Sequence, residues 1–149
     1  LLTFTGVTAT EREERVTGGL MRAGAAGALA SVAVLALQRW RGVPVPASAD
    51  LIWFASGDLR TSLTFLADPL SLGLAGLFSA ACLASGRFAA NYMHREAGFH
   101  RFFFVLSLFT AAILLVVTSG DALVTFAGWE VTGFCSYLLV AYFHDRRPA

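Results

Sequence analysis

A single carboxylate, Glu130, stands inside the apolar run 122–143, with Asp121 nine residues before it and His144 fourteen after. If the run is helical, a rise of about 1.5 Å per residue puts Glu130 roughly 13 Å from one end. A hydrocarbon layer is about 30 Å thick, so that is near mid-depth. A charge there costs at least about 2.5–3.5 kcal/mol on insertion scales, which makes an ionisable group at that depth a pointer to ion or proton transfer. A carboxylate whose proton affinity depends on how near a cation stands can act as a proton-transfer switch. The plainer alternative is a neutral, hydrogen-bonded packing residue, a task glutamine does without the risk of ionisation. Helical spacing puts Phe126, Ala127, Gly133, Phe134 and Tyr137 on the Glu130 side. Gly128 and Gly133 thin the helix and predict room beside the carboxylate for water or a partner side chain.

The remaining candidates are ionisable groups near the predicted span ends. His94, His100 and Arg101 flank a short polar stretch, and His144 closes the last apolar run. Together they could form a charge cluster or a point of proton uptake; the alternative is a basic loop that only sets topology. The other nine acidic residues, among them Glu14, Asp68 and Asp121, fall in loops or at span ends. Asp121 reads as a helix N-cap favoured by the helix dipole. Cys82 and Cys135 lie in apolar segments without metal-ligand spacing and read as small hydrophobes. No zinc pattern, iron–sulfur run, phosphate loop or nucleophilic triad is found. The expectation is therefore no catalytic residue, redox centre, metal or cofactor within this chain.

The elements that position these groups follow from composition. Hydrophobic residues are 56% of the chain and charged residues 14%, against about 25% charged in soluble domains. This predicts an all-α integral membrane protein of about four transmembrane helices. The net charge of +1 gives no reason to expect a nucleic-acid partner. All eleven basic residues are arginine.

Predicted spans cover 19–38, 69–92, 102–118 and 122–143. Residues 1–18 form a polar N-terminal segment whose first residues could be the tail of a preceding helix. Asp68-Pro69 is a helix-start signal for the second span. Residues 119–121 are a tight turn, which makes the last two spans an antiparallel helical hairpin. In the loop 39–68, two apolar pieces flank a Gly-containing polar turn and predict a small surface hairpin. Residues 93–101 make the loop between the second and third spans, and 144–149 the end after the fourth. With 1–18 cytoplasmic, eight arginines fall inside and three outside, the topology that the positive-inside rule favours. Loop 39–68 is then extracytoplasmic, and 93–101 and 144–149 are cytoplasmic. Trp40, Trp53, Tyr92 and Tyr142 read as interface anchors. The non-methionine start and the abrupt end at Ala149 predict a piece of a longer protein.

Several segments then carry a resemblance. Phe65-Leu66-Ala67-Asp68-Pro69-Leu70-Ser71 opens a membrane helix; Tyr92-Met93 is followed by Gly98-Phe99-His100-Arg101-Phe102-Phe103. Gly128-Trp129-Glu130 precedes Phe134-Cys135-Ser136-Tyr137-Leu138-Leu139. From about residue 60 to 145, in matching order, the chain resembles the antiporter-like membrane subunits of respiratory complex I. The type is the one called subunit 5 or subunit L, related to the large subunit of Mrp-type Na+/H+ antiporters. The resemblance implies that Glu130 is the central proton-channel glutamate, paired with a lysine on a later, broken helix. This chain has no lysine, so that partner would come from later helices of the same protein. It also implies an assembly with other membrane subunits in a bacterial inner membrane, as a non-redox subunit of a proton-translocating NADH:quinone oxidoreductase. Two alternatives stand beside it. One is a subunit of a Mrp-type antiporter or a bicarbonate-uptake complex; the other is a membrane scaffold in which Glu130 only packs.

Overall fold

The computed structural model describes residues 2–56, 59–94, 96 and 98–143. Among the described residues, four helices are long and apolar enough to cross a membrane, and a two-stranded sheet lies between the first two. The expected all-α membrane architecture with a surface hairpin is what the chain adopts.

Helix α1 runs unbroken over Leu2–Trp40, so residues 2–18 are not a segment apart from the first span. The stretch Glu11-Arg-Glu-Glu-Arg15 consists of strong helix formers, and although Gly18-Gly19 follows it, no proline interrupts the chain before Pro44. At about 1.5 Å per residue its 39 residues reach roughly 58 Å, well beyond the thickness of a hydrocarbon core. Helix α2, Pro69–Tyr92, starts with Pro at its first turn while the Asp68 carboxylate accepts from the Ser71 N–H at 3.2 Å. Helix α3, Phe99–Thr118, begins three residues before the expected 102, because the Gly98 carbonyl accepts from the Phe102 N–H. His100 and Arg101 therefore lie in its first turn, not in a loop. Helix α4, Ala122–Val140, tightens into a 3-10 turn at Ala141–Phe143.

The core lies where α1, α2 and α3 meet, around Met21, Cys82, Ala89, Met93, Phe99, Phe103 and Leu106. Phe103 and Met93 are almost wholly enclosed. Helix α4 packs mainly along α3 and leaves much of its circumference open. Large apolar side chains such as Leu77, Phe88, Phe104 and Phe126 point outward, as expected where the surrounding medium is lipid.

Strands β1, Ser48–Ser56, and β2, Leu59–Leu66, pair antiparallel from Ser48↔Leu66 to Ser56↔Leu59, with a bulge between Ile52 and Phe54. The sheet is tied to the helices at two places. Arg39 donates to the Ala67 carbonyl at 2.8 Å. The turn between α3 and α4 pairs with β2 through a Phe65↔Ser119 bridge and a 2.7 Å bond from the Gly120 N–H to the Thr64 carbonyl. Glycine is needed at 120, since a Cβ there would come 2.7 Å from Thr64 Cγ2.

Candidate functional site

Glu130 is the ninth residue of the 19-residue α4, hence near the middle of that span. Its side chain is exposed, on a face shared with Phe126, Trp129, Gly133, Phe134 and Tyr137. The opposite side, with Val124, Gly128 and Cys135, is buried. Among the described residues no hydrogen bond or ion pair reaches the Glu130 carboxylate. The two glycines beside it do different things. Nothing lies within 4 Å of a Cβ placed on Gly133, which leaves the space that was expected. A Cβ on Gly128 would meet Val116 Cγ2 at 2.7 Å and the Ala112 carbonyl oxygen at 3.2 Å. Gly128 is thus the seat of α4 on α3, not free room around the carboxylate.

Of the four expected residues, the three that are described, His94, His100 and Arg101, do not form one cluster. His94 Nδ1 lies 2.9 Å from Glu14 Oε2 on α1. His100 Nδ1 lies 2.8 Å from Thr17 Oγ1, one turn further along the same helix. Arg101 goes the other way: its guanidinium sits 5.5 Å from the centre of the Tyr142 ring, beyond the end of α4. The division follows from helix geometry. Successive residues of a helix point about 100° apart, so His100 and Arg101 face opposite neighbours of α3. His144 lies outside the described residues. Arg101 and Tyr142 border a cleft of about 350 Å³ that also reaches Tyr137, which shares the Glu130 face two turns away. His94 and Glu14 border a separate cleft of about 340 Å³ with Arg15 and Arg22.

Glu14 is the residue that sequence reasoning missed. Its side chain is only 7% exposed, although it was expected in a polar terminal segment. The available signal was the pair Glu14 and Thr17, three apart on a continuous helix, where both face one side. Replacing His94 by Ala removes a partner of this buried carboxylate. We expect a loss of about 1–3 kcal/mol, seen as earlier thermal unfolding in detergent. Thr17→Val, which removes only a more exposed contact, should cost less.

Asp121 uses both carboxylate oxygens. Oδ1 accepts from the Val124 N–H at 2.9 Å and Oδ2 from the Thr64 N–H at 3.0 Å. These bonds, Val124 first and Thr64 second, hold its carboxyl below the ordinary aspartate value. Stabilisation from a lowered carboxylate is complete above about pH 3.9 and is lost as pH falls through the lowered value. The Thr64 amide should accordingly stay protected from hydrogen exchange at neutral and mildly acidic pH and lose protection only below that point.

Residues 53–103 match the family described as NADH-ubiquinone oxidoreductase (complex I), chain 5 N-terminus. The resemblance to complex I chain 5 is borne out. Over 95 residues, 64% of this chain, it is 37% identical to NADH-quinone oxidoreductase subunit L of Pseudomonas aeruginosa. Over its whole length it is 31% identical to NAD(P)H-quinone oxidoreductase subunit 5, chloroplastic, of Nephroselmis olivacea. It spans 15% and 22% of these two relatives. The family match covers the hairpin from Trp53 onward, α2 and the start of α3 and stops before α4. The full-length similarity to the chloroplast relative takes in the Glu130 helix.

Proposed function

We propose that this chain is part of a proton-translocating, non-redox subunit of an NADH:quinone oxidoreductase-type complex in a bacterial inner membrane, with Glu130 as its mid-membrane proton carrier. The observation that carries the reading is the placement of Glu130. It is a carboxylate at mid-span on a face that, among the described residues, none of the other three helices covers. Lipid is a poor neighbour for that face, since a carboxylate in hydrocarbon costs several kcal/mol. Protein with a cationic or hydrogen-bonding side chain is a good one. A cation that moves toward and away from a carboxylate favours its charged and its neutral form in turn, which is the elementary act of a proton relay. Lysine is absent from this chain and no ion pair reaches Glu130 among the described residues; in this reading the cation comes on later helices of the same subunit. Arg101, Tyr142 and Tyr137 line a cleft at the end of α4 and serve as the mouth of the relay. His94 and His100 face α1 instead and serve to fasten it.

The test is proton translocation per NADH oxidised in membrane vesicles carrying the full-length subunit, with Glu130 and with Gln in its place. Equal translocation by the two would overturn the reading.

A further inference from the structure

We infer that Asp121 is a positioning residue for Glu130: it clamps the helix carrying the carboxylate to the surface hairpin and so fixes where the carboxylate stands. The inference rests on the proton-carrier reading of Glu130. Its basis is the number of bonds that meet at one point. Asp121 Oδ1 caps α4 at Val124 and Oδ2 holds the Thr64 N–H of β2. The Thr64 carbonyl accepts from the Gly120 N–H at 2.7 Å, and its hydroxyl donates to Asp50 Oδ1 at 2.7 Å. One strand residue thus engages both the turn that opens α4 and the far strand of the hairpin.

Helix α4 needs such an anchor because it packs along α3 on one side. The close contact at Gly128 fixes its distance from α3. A single line of contact still lets a helix rock about its seat. The clamp supplies a second fixed point, on the hairpin, about 13 Å along the helix axis from Glu130. Releasing it tilts α4 about Gly128. Glu130, two residues from that seat, then turns relative to any group facing it from outside.

The experiment uses the full-length subunit in its assembled complex. Asp121→Asn has the same shape but one acceptor oxygen, so it serves Val124 or Thr64 and not both. Thr64→Pro removes the same bond from the strand side, because proline has no N–H, and with it the hydroxyl bond to Asp50. For both variants we expect normal subunit content in the membrane and a three- to tenfold fall in translocation. The pH of half-maximal translocation should also move, by about half a unit or more, because the distance to a charge sets proton affinity. Unchanged translocation, or a fall with no movement of the pH profile, would overturn the inference and leave Asp121 a helix cap. A Glu130→Gln control run alongside separates the two ideas. If that control also translocates normally, the proton-carrier reading has failed, and the positioning inference falls with it.

Discussion

Replacing Glu130 by Gln in the full-length subunit is expected to reduce proton translocation through that subunit at least tenfold while leaving its assembly intact. Glutamine matches glutamate in volume and keeps a hydrogen-bonding head, so packing on the exposed face of α4 hardly changes. What it loses is the ability to take up and release a proton. General acid–base groups contribute about 10²–10⁴-fold to the steps they serve, and a tenfold fall is the lower bound for a relay whose carrier has gone. Glu130→Asp makes an informative companion. It keeps the proton carrier and shortens it by one methylene, so translocation should fall less than with Gln and show an altered pH profile. Full activity in both variants would make Glu130 a packing residue. The measurement is vesicle acidification driven by NADH, normalised to the subunit content of the membranes.

The second large effect is expected at Gly128. A Cβ at this position would lie 2.7 Å from Val116 Cγ2, 3.2 Å from the Ala112 carbonyl oxygen and 3.3 Å from the Val116 nitrogen. The first contact is with the stiff side chain of a β-branched residue. The other two are with the α3 main chain, which cannot yield without bending the helix. Gly128→Leu should therefore cost about 2–3 kcal/mol, within the range for overpacking a tight interface, and lower the thermal midpoint in detergent. Adding Val116→Ala relieves only the side-chain contact, so it should restore part of the loss and not all. A Gly128→Leu protein as stable as the original would mean that α4 does not sit on α3 as described.

The contrast between these sites shows what could be read from the residues. Long uncharged runs, the Asp68-Pro69 start and the Asp121 cap are local signals, and each depends on a few neighbours along the chain. They gave the spans and the surface hairpin. The mid-helix position of Glu130 was legible for the same reason. The division of His94 and His100 from Arg101 was not, because it depends on which neighbour lies on each side of α3. Gly128 was likewise read as spare room. A glycine in a helix marks a thin place, and only the facing helix decides whether that place is filled. Glu14 was lost to an early helix boundary: once residues 1–18 were treated as a separate polar segment, nothing linked Glu14 to a histidine 80 residues away.

The pairing of Thr64 with Gly120 also constrains how such a chain is made. Its two halves are 56 residues apart. Strand β2 leaves the ribosome well before the turn that completes its second edge, with α2 and α3 synthesised in between. Until α2 and α3 have been threaded through the bilayer, the outer edge of β2 has no partner on that side. The sheet is finished last, although its strands are made early. Docking of the turn onto β2 thus reports that two later membrane crossings have been completed in the right direction.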